Sequence, residues 1–241
     1  IIIGTSAINH EEGQKVLKNC AEIAKKLPNL SKHFNPLNIL YQDISRVGAL
    51  DLGYFNSYFD FDFEKKLSNI IKKTKPVIFL LGQDEINMEI LKDSYVVYLG
   101  HHGDRGALAA DIILPTPAYT EKSSTYVNGE GRVLQTSKCI GPIGDAKEEW
   151  KFFRVLNESF DKSLRFNNLQ QLREKLLISN PLFSKLFDIS KINEIDFGSN
   201  DKIQDRVIDY NIENFYMTDV ISKSSETMAK CTKEIFNKVA S

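Results

Sequence analysis

Cysteine is scarce in this 241-residue sequence: only Cys20, Cys139 and Cys231 are present, far apart, with no C-x-x-C pair and no Cys/His cluster. That spacing rules out a disulfide framework and leaves no zinc or iron–sulfur ligand set within the chain. The thiols are expected to be buried or half-buried, in a reducing compartment. Charge of one sign is lacking too. The 31 Lys and Arg nearly balance the 32 Asp and Glu, for a net charge of -1, so no whole-molecule field draws nucleic acid or an anionic membrane. No apolar run approaches the ~20 residues that span a bilayer, and no internal repeat or low-complexity block appears. The sequence opens on Ile1 rather than Met, inside "IIIGTSA". We read this as a core strand rather than a signal or transit peptide, and expect a processed product, a split-gene product or part of something longer, with neighbours upstream.

What is present belongs to a soluble α/β protein. Apolar residues make up 42% and charged residues 26%, an ordinary balance for a globular chain of this length. Short apolar runs at "IIIG", 37–43, 76–82, 95–100 and 111–115 read as strands, the first, third and fourth buried on both faces. Between them, 9–27 and 63–74 show helical periodicity, with Asn9 placed to cap the first and Pro28 to stop it. Segments 46–54, 88–94 and 106–110 read as loop or short helix. Strands alternating with helices predict a largely parallel sheet with helices on both faces.

After Pro117 the character changes. Asn128-Gly129 between two β-prone runs is a hairpin signal, with Gly131 easing the exit. Helices are predicted over 146–160, 169–179 and 218–240, the last capped by Thr218 or Asp219 and carrying a narrow stripe of Met228, Cys231 and Ile235. The polar text from 188 to 213 reads as a surface loop. We divide the chain into a core with its hairpin at 1–145 and a helical and irregular region at 146–241.

Candidate chemistry gathers where strands end. His101 and His102 follow a buried strand at its carboxyl end, where open α/β sheets bind ligands. One of them is placed to be a base or a ligand, with Asp104 as its orienting partner. The simpler reading is a pair of strand-end polar groups pointing in different directions from extended backbone, and it is favoured. Gly103 and Gly106 bracket Asp104-Arg105 before a helix, a weak phosphate-cradle pattern, and "LLGQDE" (80–85) is another. Glu121-Lys122 is a candidate acid–base pair, more often an ion pair or a contact to loop backbone. Glu130 and Arg132 flank the hairpin turn, with Arg132 free to seek an acid elsewhere. No nucleophile with its base and no metal cage survives this weighing.

Several separated blocks carry a family resemblance. "GHHGDRGALAADIILPTPAYTEKSSTYVNGEGRVLQT", "GDAKEEWKFFRVLNES", "VGALDLGY" and "FYMTDVISKSSETMAKC" are the stretches concerned. Together they resemble the C-terminal half of the 75 kDa iron–sulfur subunits of respiratory complex I, mitochondrial type, within the molybdopterin oxidoreductase superfamily. Agreement is weakest over 180–213. The resemblance implies Rossmann-like α/β layers of the formate dehydrogenase fold. It also implies a structural role in the peripheral, matrix-side arm at the mitochondrial inner membrane, within an NADH:ubiquinone oxidoreductase. Iron–sulfur clusters are implied in an N-terminal region outside this sequence and FMN in a neighbouring NADH-binding subunit, both partners of this chain. Within the chain itself no catalytic, cofactor-binding or metal residue is implied. The competing reading is a fragment of an active molybdopterin-dependent oxidoreductase, with "GHHGDRG" and "TYVNGEG" lining its cofactor pocket.

Overall fold

The computed structural model describes residues 1–10, 12–27, 35–41, 43–54, 63–160, 164–188 and 214–239. Contacts divide the chain into two compact units, Ile1–Ile203 and Gln204–Ser241. In the first, β1 (Ile2–Gly4) pairs in parallel with β2 (Asn38–Leu40), and α1 (Gly13–Lys26) connects them. Ile3, Ile8, Leu17, Ala21, Ala24 and Leu37 close this first small core. The helix starts later than the Asn9 cap would place it. Thr5–Ala7 forms a 3-10 turn whose Thr5 carbonyl takes the Ile8 and Asn9 amides, and the Glu12 amide donates to His10 Nδ1.

A second parallel sheet has the order β3 (Val77–Leu81), β4 (Tyr95–Gly100), β5 (Ile112–Pro115). The registers Leu80↔Tyr98 and Leu99↔Leu114 set the three carboxyl ends side by side. The helix α3 (Phe63–Thr74) contributes Ile71 to a core with Leu80, Leu91, Val96 and Tyr98. The single large sheet expected from the alternation is, among the described residues, two separate parallel sheets of two and three strands. Only β4 is buried along nearly its whole length, because it is the one strand flanked on both sides. β1 and β3, predicted to be buried on both faces, are half-covered: Ile2 is 75% exposed and Val77 56%.

The hairpin β6 (Thr125–Val127) and β7 (Val133–Gln135) forms where the Asn128-Gly129 signal placed it. Its turn is wider than two residues, and Gly131 rather than Gly129 takes the positive φ, at 79°. Asn128 Oδ1 accepts from the amides of Glu130 and Arg132, both at 3.0 Å, which closes the loop. Val127 and Val133 pack on Phe183, the third core. The short helix α2 (Arg46–Asp51) is tied to this region by Asn180, whose side chain donates to the Asp51 carbonyl at 2.7 Å.

Two further helices belong to this unit. α5 (Glu149–Glu158) sets Phe152 and Phe153 against Phe79 of β3, with ring centroids 6.0 and 5.8 Å away. α6 (Leu169–Ser179) has the bounds predicted for it; Asn168 caps its start and Asn180-Pro181 follows its end. Cys139 is exposed rather than half-buried, because it sits in the open loop after the hairpin. In the second unit the expected single helix is two: α7 (Val220–Lys223), held by a capping box between Asp219 and Ser222, and α8 (Glu226–Val239). Most of the loop expected at 188–213 lies outside the described residues. No helix among those described is long and apolar enough to cross a membrane.

Candidate functional site: the carboxyl end of the three-stranded sheet

The strand ends of β3 and β4 bring together the two glycine turns singled out in the sequence, and the group that joins them is Tyr98. This side chain is 2% exposed. Its hydroxyl donates to Asp104 Oδ2, while Asp104 Oδ1 accepts from the Ala107 amide at 3.0 Å. Asp104 therefore caps the five-residue helix α4 (Arg105–Ala109) and anchors the phenol with one carboxylate. Burial first, then the hydrogen bond to Asp104 and the charges of Asp104 and Asp84, push the Tyr98 phenol well above its ordinary pKa.

The glycines serve this ring. A Cβ on Gly106 would lie 2.6 Å from the Tyr98 ring and 2.7 Å from the Gln83 carbonyl, and one on Gly100 would lie 2.2 Å from the Tyr98 hydroxyl oxygen. Gly103, by contrast, faces open space. Gly106 is thus the point where the 80–85 turn, the tyrosine and the start of α4 meet. Sequence reasoning missed Tyr98. The available signal was an aromatic residue with glycines at both ends of the following turn.

The histidines do not use Asp104 as an orienting partner. They meet each other: their rings are T-shaped at 4.7 Å and 81°, with the two Nδ1 atoms within hydrogen-bonding distance. They converge, rather than diverging as in a strand, because the chain bends directly after Gly100. Both are exposed. Desolvation of the His101 ring, then the neighbouring charges of His102 and Lys122, hold its pKa below the ordinary imidazole value.

Glu121 and Lys122 part company. Glu121 is buried and accepts from the Ala118 amide at 3.0 Å, bracing the turn after β5. Lys122 reaches Glu149 at the start of α5, at 2.6 Å. Arg132 donates to the Phe187 carbonyl at 2.7 Å and lies 3.9 Å from Glu130, so its main partner is backbone rather than a distant acid. The hairpin turn has its own neighbours, with Asn35 donating to the Glu130 carbonyl and Gly129 against Ile39. Among the described residues no three His, Cys, Asp or Glu side chains come together as a metal-binding group.

Short parallel strands joined through helices, with polar turns at the strands' carboxyl ends, make this a protein of the α/β class. The molybdopterin oxidoreductase family matches residues 1–159, well over half of the chain, and the chain belongs to that family. Residues 189–231 match a second family, the C-terminal region of the NADH-ubiquinone oxidoreductase G subunit. Similar proteins include the mitochondrial NADH-ubiquinone oxidoreductase 78 kDa subunit of Candida albicans, 41% identical over 96% of this chain and 32% of the relative. The NADH-ubiquinone oxidoreductase 75 kDa subunit of Reclinomonas americana is 38% identical over 96% of the chain and 33% of its own length. The mitochondrial 78 kDa subunit of Neurospora crassa is 36% identical over 96% and 32%. The chain spans about a third of the length of these relatives.

A pterin cofactor carries phosphate, and the turn at 100–106 does not fit one. The space that the glycines would leave for a ligand is filled by the Tyr98 ring. The Ala107 amide at the start of α4 is taken by the Asp104 carboxylate, and Asp84 adds a second negative charge that bears on the same phenol.

Proposed function

We propose that this chain is the C-terminal third of the large iron–sulfur subunit of respiratory complex I, and that it supports NADH-to-ubiquinone electron transfer as a scaffold. The observation that carries this reading is the breadth of the match. NADH-ubiquinone oxidoreductase subunits align with 96% of the chain, and the second family covers a segment that the oxidoreductase family leaves out.

In this reading residues 1–145 are a Rossmann-like core of the formate dehydrogenase type that holds no cofactor, and 146–241 are its C-terminal extension. His101, His102, Asp104, Glu121 and Lys122 take no part in redox chemistry. Three of them fix the carboxyl end of the sheet: Asp104 through Tyr98 and the Ala107 amide, Glu121 through the Ala118 amide, Lys122 through Glu149. The iron–sulfur clusters belong to the N-terminal region of the subunit and FMN to the neighbouring NADH-binding subunit, both of them partners. The site of action is the matrix side of the mitochondrial inner membrane.

Elemental and pterin analysis of the purified 241-residue chain tests this. The expected result is iron, molybdenum and pterin each far below one per chain. Stoichiometric molybdenum with an extractable pterin dinucleotide would establish the competing reading, an active molybdopterin oxidoreductase.

A further inference from the structure

The turn between β6 and β7 holds the sequence's one Asn-Gly pair, Asn128-Gly129. The main chain of Asn128 is fixed on both sides. Its amide donates to the Arg132 carbonyl and its carbonyl accepts from the Gly131 amide, each at 3.0 Å. The side-chain Oδ1 accepts from two more amides, those of Glu130 and Arg132, also at 3.0 Å. From Asn128 to Arg132, the Gly129 amide alone has no hydrogen-bond partner among the described residues.

Gly129 is exposed, and it has no side chain to screen its nitrogen. The fold disfavours one there, since a Cβ would stand 3.2 Å from the Ile39 carbonyl oxygen. A free amide nitrogen therefore lies next in the chain to a carboxamide whose oxygen is held by two donors. Those donors draw electron density from Cγ. They also stand at the distance that stabilises an oxyanion formed by attack at that carbon.

We propose that Asn128 is a modification site at which the turn promotes its own deamidation, with the Gly129 nitrogen as nucleophile. The Gly129 amide gives its proton to solvent, its nitrogen bonds to Asn128 Cγ, and negative charge gathers on Oδ1 between the Glu130 and Arg132 amides. The Cγ–Nδ2 bond then breaks, and Nδ2 takes up a proton and leaves as ammonia. Water opens the resulting five-membered imide at either carbonyl, its hydroxyl going to carbon and its proton to the Gly129 nitrogen. One opening gives aspartate at 128, the other an isoaspartyl linkage. Water is the only co-reactant.

Both products load the hairpin. Aspartate sets a carboxylate oxygen where Nδ2 now faces Glu130 Oε2 at 3.5 Å, and like charges repel. The isoaspartyl linkage adds a carbon to the main chain between Val127 and Val133, which pair across the hairpin and pack on Phe183 in the third core.

Peptide mapping by mass spectrometry of the folded 241-residue chain, aged in neutral buffer at physiological temperature, tests this. Trypsin cuts after Lys122 and Arg132 and releases 123–132. That peptide is expected to gain the mass of an amide-to-acid change about tenfold or more faster than any other asparagine-containing peptide. It should elute as two isomers and convert no more slowly in the folded chain than in the chain unfolded in urea. An unconverted 123–132 overturns the proposal. Conversion slower in the folded chain than in the unfolded one overturns it too, since the turn would then shield the site. Gly129→Ala should slow conversion about tenfold, and an unchanged rate in a folded variant contradicts the role given to the Gly129 nitrogen. In the isolated isoaspartyl chain, amides of 125–135 should exchange with deuterium about tenfold or more faster than before ageing. Unchanged exchange contradicts the predicted loosening.

Discussion

The hydroxyl of Tyr98 and the amide of Ala107 bind the two oxygens of one carboxylate, Asp104, so a buried strand residue and a helix start share a single anchor. Removing the anchor breaks both contacts. Asp104→Ala is expected to destabilise the fold by about 1–3 kcal/mol, since it leaves a buried phenol without a partner and a helix uncapped. Tyr98→Phe breaks one bond only and should cost less, about 1 kcal/mol. Urea denaturation followed by circular dichroism gives the ranking.

Gly106 and Gly103 bracket the same turn and make opposite predictions. Gly106→Ala drives a methyl group into the Tyr98 ring and the Gln83 carbonyl, an overpacking expected to cost about 1–3 kcal/mol, and Gly106→Val should cost more. Gly103→Ala meets nothing within 4 Å and should shift stability by less than about 0.5 kcal/mol. Thermal melts of the two alanine variants decide it. Equal behaviour would mean that the glycines do not serve the tyrosine.

Acidification should weaken the first unit through His101. Its pKa in the folded chain lies below the ordinary value of 6.5, so between those two values the unfolded chain binds more protons than the folded one. Stability is then complete above the ordinary value and falls as pH drops through the window beneath it. Melting temperatures from about pH 7.5 to 5 should decline, and His101→Gln should flatten the decline. The ring is exposed, so the effect is small.

Lys122 and Glu149 join the turn after β5 to α5 across 27 residues. Each side chain is largely covered, 20% and 26% exposed. Lys122→Met and Glu149→Gln should each lower stability by about 1 kcal/mol, and the double variant by less than the sum of the two. A double-mutant cycle in urea measures the coupling, and strict additivity would show that the pair contributes nothing jointly.

Local elements were legible from the sequence wherever one short-range rule governed them. The period of Leu67 and Ile71 marked out α3, the pattern over 169–179 marked out α6, and the Asn128 turn located the hairpin. The start of α1 was misread because His10 and the Thr5 turn take up amides that Asn9 was expected to organise. The apolar runs of β1 and β3 promised burial on both faces, but burial depends on what lies beside a strand, and a run of isoleucines does not contain that information. The candidate site was half legible. Its location at the strand ends followed from general rules for α/β sheets. The Tyr98–Asp104 anchor was hidden, since it forms across a strand-to-helix turn that no periodicity marks.

The central claim is that this chain is a structural part of an NADH-oxidising assembly. Affinity purification of the tagged chain from the membranes of the cells that make it, with mass spectrometry of the bound proteins and an NADH dehydrogenase stain on a native gel, tests this most directly. The account predicts one large NADH-oxidising complex that contains this chain, the cluster-bearing region and the flavin-binding subunit. Recovery of the chain alone, with stoichiometric molybdenum and a pterin and no NADH oxidation, would contradict it.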